Sequence, residues 1–207
     1  QGRLGRCVQP AFVRRGRRWA LKLIDRWMPE WDYASTSAIA CPGGFGRHPD
    51  PPELLGTDFS RSPLIRLLFA MRGMPRRMLT LHGFLDAGFF LLEHDDRELV
   101  IGMAAQPWKP AGNLVRLRPE DFTGFALPDY VKAAWNFRFE EADGRASVET
   151  ETRIKCTSPG AKRKFGAYWT VIGPFSRIIR REMLRLIRRD LTAAGGPTER
   201  KPAAHHP

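Results

Sequence analysis

The segments YVKAAWNFRFE (130–140) and ASVETETRIKC (146–156) decide the fold class of this chain. In both, apolar or small side chains alternate with polar or charged ones, which is the two-residue period of a β-strand. Asp143-Gly144 between them is a hairpin turn signal. The pair therefore predicts a long antiparallel hairpin with one buried face and one face in water. The predicted buried face comprises Val131, Ala133, Trp135, Phe137 and Phe139, then Val148, Thr150, Thr152, Ile154 and Cys156.

Weaker patterns on either side supply the rest of a sheet. Strands are predicted at 31–40, 89–94, 98–106 and 112–117, a helix at 62–72, and single helical turns at 53–56 and 119–125. The segment 78–88 is ambiguous and favours a short helix. Gly and Pro crowd residues 41–52, which predicts a loop.

A second decisive rhythm follows the hairpin. Ser158-Pro159 is a helix start, and the residues after it repeat with helical spacing. The predicted apolar stripe comprises Phe165, Tyr168, Trp169, Ile172, Ile179, Met183, Leu186 and Ile187. The remaining surface is basic, with Arg177, Arg180, Arg181, Arg185, Arg188 and Arg189 assigned to a solvated face. Gly173-Pro174 is expected to bend the helix.

Together these elements predict an α+β fold in which a curved antiparallel sheet wraps around a long C-terminal helix. The chain has 207 residues, of which 43% are apolar and six are tryptophan, enough for one packed domain. Residues 28–191 are predicted to form it. Residues 1–27 precede the first methionine, Met28, and are expected to be an extension outside the core. Residues 192–207, rich in Gly, Pro and Ala, are expected to be a disordered tail.

The net charge of +12 is concentrated at two places. Residues 1–27 hold eight Arg or Lys against one acidic residue, and residues 161–191 hold nine against two. The body between them is slightly acidic, so the composition predicts no specific nucleic-acid partner. No apolar run is long enough to cross a membrane and no signal peptide is evident, so a cytoplasmic protein is expected.

Metal and cofactor chemistry find little support in the sequence. The three cysteines, Cys7, Cys41 and Cys156, are far apart and show no zinc-ligand spacing with the histidines. The GGFG segment at 43–46 lacks the Lys and Ser or Thr of a phosphate-binding loop. We therefore predict no metal and no cofactor.

Several segments resemble the START-like or SRPBCC superfamily, in particular its uncharacterised bacterial members. They are LLGTDFSRSPLIRLLFAMRGMP (54–75), ELVIGMAAQPW (98–108), the 130–157 hairpin and KFGAYWTVIGPFSRIIRREMLRLIRR (164–189). The resemblance implies a helix-grip fold with a ligand cavity between the sheet and the last helix. It also implies binding of lipids, polyketides, sterols or similar molecules. One departure is the Gly- and Pro-rich segment after the first strand, where such domains carry an amphipathic helix.

We accordingly predict a noncatalytic protein that binds a hydrophobic small molecule in that cavity, for transport or sequestration. The predicted ligand-binding residues are Ile101, Met103, Trp135, Phe137, Phe139, Val148, Thr150, Phe165, Trp169 and Ile172. No oligomeric state is predicted.

Two alternatives stay open. The first is an enzyme of the polyketide cyclase type, for which His82 or Thr150 would supply the polar group in the cavity. His94 fits a solvated turn, and Glu149 with Glu151 fits surface charge rather than a catalytic pair. The second alternative is a peripheral protein held on an anionic membrane surface by the basic last helix.

Overall fold

A computed structural model of the protein describes residues 21–46, 49–71, 73–142 and 145–193. Five strands form one curved antiparallel sheet in the order β1-β5-β4-β3-β2. They are β1 (Tyr33–Cys41), β2 (Phe90–His94), β3 (Glu98–Ala105), β4 (Val131–Ala142) and β5 (Arg145–Cys156). The helices are α1 (Leu23–Trp27), α2 (Pro63–Met71), α3 (Leu81–Ala87), α4 (Pro119–Phe122) and α5 (Pro159–Ala193). Short 3₁₀ turns span Pro51–Gly56, Phe59–Arg61 and Arg76–Leu79.

The predicted hairpin and last helix are both confirmed. β4 and β5 pair in register from Val131↔Cys156 to Ala142↔Arg145, while the two turn residues lie outside the described residues. The helix α5 begins at Pro159, with the Ser158 hydroxyl accepting the Ala161 amide at 3.1 Å. It packs against β1 and β5 across one face of the sheet. The fold is therefore α+β with a helix-grip-like arrangement, as the sequence predicts.

The α5 helix is 35 residues long and continues through Gly173-Pro174 without interruption. Pro174 lacks the amide hydrogen that would bond to the preceding turn, which is the physical reason to expect a bend here. The bend itself stays a prediction. Residues 194–207 lie outside the described residues, and the first two residues of the predicted tail belong to α5.

The chain between β1 and β2 fills one end of the space under the sheet. Its two helices and three 3₁₀ turns bury Phe59, Ile65, Phe69 and Leu81 against the lower part of α5 and the sheet. Gly83 allows α3 to approach the preceding turn, because a Cβ atom there would lie 1.5 Å from the Arg77 carbonyl oxygen. A side chain cannot occupy that position without moving the backbone.

The prediction that the other face of the hairpin is in water is wrong at its centre. Ala134 and Asn136 on that face are fully buried, and Phe122 of α4 packs with Ala134. The α1 helix covers the same region with Leu23 and Ile24. The expectation that residues 1–27 lie outside the core is therefore also wrong for 23–27, whereas 1–20 fall outside the described residues.

Buried charges attach α1 to this outer face. Arg153 is only 5% exposed and donates to Glu151, to Asp25 and to the Met28 carbonyl oxygen at 2.6 to 2.9 Å. Glu98, also buried, accepts the first two amides of α1. Lys22 forms ion pairs with Glu149 and Glu151. Glu151 is thus a buried partner in an ion-pair network rather than the surface charge that the alternation suggests.

Residues 112–117 also differ from prediction. They do not form a strand, and Val115 makes one isolated bridge with Ala104. Residues 112–114 instead end a loop, 106–114, that borders the space between the sheet and α5.

Candidate functional site

A cavity of about 910 Å³ lies between the concave face of the sheet and α5. This volume is within the range of about 300–1,000 Å³ that is typical of small-molecule sites. Apolar and aromatic side chains provide most of its wall. Five parts of the chain contribute: the end of α2 with the turn after it, α3, strands β3 to β5, the 106–114 loop and α5.

The sheet contributes two rows of side chains that follow the strand register. The first row is Ser35, Thr152, Trp135 and Ile101, which are direct neighbours across β1, β5, β4 and β3. The second is Ile154, Ala133 and Met103. Register partners point to the same side of a sheet, so both rows face α5. All of these residues except Ser35 line the cavity.

The helix wall follows from the spacing of α5. The cavity-lining residues Phe165, Trp169, Ile172, Ser176, Ile179 and Met183 recur at three- and four-residue intervals. The rings of Phe165 and Trp169 stack with their centroids 5.5 Å apart. Such stacking favours one arrangement of the two rings, so Phe165 and Trp169 form a single aromatic patch of the wall.

The 106–114 loop forms one rim of the cavity and presents Trp108. Gln106 holds the loop in shape: its amide donates to the Gly112 carbonyl oxygen at 2.8 Å, and its side chain bonds to Asn113 and to the Asp129 carbonyl oxygen. The Trp108 indole nitrogen is buried and has no acceptor within the described residues. A buried donor of this kind calls for a partner.

The structure separates the ten predicted binding residues into two groups. Ile101, Met103, Trp135, Phe165, Trp169 and Ile172 line the cavity. Phe137, Phe139, Val148 and Thr150 do not, although they lie on the same face of the sheet. They belong to the next rows along β4 and β5, where the 49–87 segment and the second half of α5 fill the space. The prediction of cavity lining is therefore wrong for these four residues.

The proposed catalytic groups, His82 and Thr150, are also outside the cavity, as is the turn residue His94. His82 and His94 are exposed and do not line it. Thr150 is buried below the cavity, where its hydroxyl donates to the Asn136 carbonyl oxygen and accepts from the Trp135 indole. Of the described residues that line the cavity, none is a histidine, aspartate or glutamate.

A charged residue that the sequence assigned to the solvated face is the one buried charge among the described residues of the cavity wall. Arg180 lines the cavity and is only 5% exposed. Burial, with a smaller effect of Arg177, lowers its pKa to about 10. The position was open to prediction, since Arg180 lies four residues after Ser176 and three before Met183 on the cavity side of α5. Because α5 contains many arginines, Arg180 was assigned with them to the solvated face and this spacing was not used.

Comparison with known proteins adds little to this description. No protein-family model matches the chain, and no curated protein matches it. The chain is similar to the crystal structure of a hypothetical protein from Helicobacter pylori, with a TM-score of 0.33 and 10% sequence identity over 86% of this chain and 98% of that one. Similarity this weak carries no argument, so the START-like resemblance stays a prediction. None of the described helices is long and apolar enough to cross a membrane.

Proposed function

We propose that this protein binds a hydrophobic small molecule in the cavity between the sheet and α5. The observation that supports this best is the cavity of about 910 Å³ itself, since protein interiors are otherwise packed to the density of organic crystals. Burial of an apolar guest there is favourable by about 25 cal/mol per Å² before ordering costs. A START-like helix-grip protein with a lipid-like ligand fits this arrangement.

The polar groups of the wall favour binding over acid–base catalysis. General acid–base chemistry needs a group that exchanges a proton near neutral pH, and carboxylates and imidazoles are the usual ones. Neither is present in the described part of the cavity wall. We therefore favour a binding protein over an enzyme of the cyclase type.

A matched pair of variants on α5 tests cavity binding. Ile172→Trp adds volume inside the cavity, whereas Thr170→Trp adds the same side chain to the exposed side of the helix. Isothermal titration calorimetry with decanoate and with 1-decanol measures uptake. We expect Ile172→Trp to weaken binding at least tenfold and Thr170→Trp to leave it unchanged. Equal uptake by the two folded variants, or none by the parent protein, would count against the proposal.

A second candidate function is contact with an anionic membrane surface. The α5 helix has apolar side chains that do not face the sheet: Val171, Phe175 and Ile178 are 62%, 40% and 44% exposed and follow helical spacing. Arg177 and Arg181 are exposed beside them. A helix surface that is both apolar and basic fits anionic headgroups, and its position beside the cavity would suit transfer of a ligand.

Vesicle sedimentation tests this second function. The protein is expected to bind vesicles that contain phosphatidylserine and to be released by high salt, and not to bind purely zwitterionic vesicles. Phe175→Ser should weaken the binding, while Leu127→Ser, which removes an even more exposed apolar side chain elsewhere, should not. Binding that is indifferent to lipid charge, or lost equally in both variants, would argue against a docking role for α5.

A further inference from the structure

The side chain of Arg180 crosses from α5 to the sheet and ends at two hydroxyl groups. One terminal nitrogen donates to Thr152 Oγ1 at 2.9 Å and the other to Ser35 Oγ at 2.6 Å. These two residues are direct register partners on β5 and β1. The guanidinium group is thus held at one position on the concave face.

Among the residues that the structure describes, no carboxylate balances the charge of Arg180. No Asp or Glu forms an ion pair with it in the described ranges, and its Nε atom is buried with no acceptor there. A guanidinium carries five N–H donors, of which the two hydroxyls accept two. An uncompensated buried charge is strongly unfavourable, so this arrangement indicates an acceptor that comes from outside the described chain.

Arg153 provides a comparison within the same molecule. It is as deeply buried as Arg180. It follows Thr152 directly in β5, so its side chain points to the opposite face of the sheet. Arg153 has carboxylate partners in Glu151 and Asp25, and its pKa is raised despite the opposing effect of burial. In the part of the chain that the structure describes, the buried arginine of the outer face is therefore neutralised, and the one in the cavity has no counter-charge.

The surroundings of Arg180 define the chemistry of a matching guest. Arg180 and Thr152 form a cationic, hydrogen-bonding spot, while Ile154 and Ile179 beside them, and Trp169 further along the cavity wall, are apolar. A neutral hydrocarbon would leave the charge unmatched, and a small free anion would leave the apolar wall in water. An amphiphile with one anionic end satisfies both.

We propose that the natural ligand is an amphiphile with a terminal carboxylate, and that Arg180 with Thr152 binds this carboxylate while the apolar chain occupies the rest of the cavity. The proposal rests on the cavity-binding function above and specifies its ligand class. Arginine and carboxylate form short, charge-assisted hydrogen bonds that are about twice as strong as neutral ones. The preorganisation by Ser35 and Thr152 would lower the ordering cost of this contact.

The test compares two probes of equal chain length on the full chain, decanoate and 1-decanol, by isothermal titration calorimetry. We expect decanoate to bind roughly ten- to a hundredfold more tightly, since hydrogen bonds to charged groups have about that effect. Arg180→Met should abolish this preference and retain 1-decanol binding. Arg181→Met, which removes an exposed arginine next along the helix, should keep the preference.

Each outcome separates the carboxylate site from cavity binding. Equal affinity of the parent protein for the two probes would overturn the carboxylate site and leave cavity binding intact. Absence of binding by both would overturn both proposals. Acetate that competes with decanoate at equal concentration would show a site for free anions and overturn the amphiphile. Because the two-probe comparison uses the unmodified chain, it decides the matter even where Arg180→Met does not fold.

Discussion

Replacement of Arg153 by methionine is the sharpest test of how the outer face is held together. The change keeps a long, flexible side chain and removes the guanidinium that joins α1 to β5. It deprives Glu151 and Asp25 of hydrogen bonds at 2.7 and 2.6 Å. It also removes a cation–π contact with Trp31, whose ring centroid lies 4.1 Å from the guanidinium carbon.

The magnitude follows from what stays buried. Removal of one partner of a buried ion pair costs about 3–5 kcal/mol, and the exposed cation–π contact adds about 0.5–1 kcal/mol. Glu151 retains Lys22 at 3.0 Å, which favours the lower end. We expect a loss of about 3 kcal/mol in the free energy of unfolding, which corresponds to roughly 6–12 °C in Tm for a domain of this size.

Lys155→Met is the matched control. Lys155 lies two residues further along β5 on the same face. Its Nζ atom is 3.2 Å from Oε2 of Glu30, whose side chain is 81% exposed. Such a surface pair contributes about 0–1 kcal/mol. Urea unfolding followed by tryptophan fluorescence and circular dichroism gives both values.

Two further results belong to this experiment. Trypsin should cleave after Arg26 faster in Arg153→Met, since α1 loses its attachment. The double variant Arg153→Met, Glu151→Leu should recover part of the lost stability, because the buried carboxylate that has lost its arginine is removed as well, while Lys22 keeps Glu149. A loss for Arg153→Met within about 1 kcal/mol of the loss for Lys155→Met would refute the assignment of a stabilising network to the outer face.

Three other predictions follow from individual residues. Burial acts to raise the pKa of Glu151, but the hydrogen bond from Arg153 and the charge of Lys22 outweigh it, and the net pKa lies below the ordinary 4.5. A pKa that is lower in the folded state stabilises the fold at pH values above the unfolded-state pKa, and this stabilisation is lost as the pH falls through the folded-state pKa. The urea midpoint should therefore decrease below about pH 4.5, and the decrease should be smaller in Arg153→Met. Gly83→Ala should lose well over the 1–3 kcal/mol of ordinary overpacking or fail to fold, whereas Gly124→Ala, where a Cβ meets nothing within 4 Å, should be tolerated; equal yields and melting temperatures would contradict this. Burial, followed by the charge of Asp32, raises the pKa of Cys156 to about 12, so iodoacetamide at pH 8 should modify it slowly in the folded protein and readily in urea, as peptide mass spectrometry would show.

Periodicity predicted the elements that have a clear rhythm and missed those whose role depends on what covers them. The β4–β5 hairpin and α5 were readable because burial of one side forces a repeat of two residues or of three to four. The α1 helix was not, since five residues that include Asp25 and Arg26 carry too little pattern. Residues 112–117 show the opposite error: a short alternating run suggested a strand, but its hydrogen bonds form a loop.

The candidate site divides in the same way. Alternation assigned Trp135, Phe137 and Phe139 to one face but could not tell which would line a cavity, because that depends on how far the 49–87 segment extends beneath the sheet. Arg180 was wrongly assigned to the solvated face, because arginine is usually solvated and the neighbouring Arg177 and Arg181 are exposed. Its burial depends on the hydroxyls of Ser35 and Thr152, which are distant in sequence.

The sequence by itself determined that this chain makes a curved antiparallel sheet and a long helix. Each has an apolar face that must be buried, and local periodicity within one segment is enough to specify such a face. Only the tertiary structure decided that the outer face of the hairpin is covered at its centre, that the space under α5 is filled at one end and open at the other, and that two equally buried arginines have different surroundings. Burial and charge balance are properties of residues brought together from distant parts of the chain, and a periodicity within one segment contains no information about them.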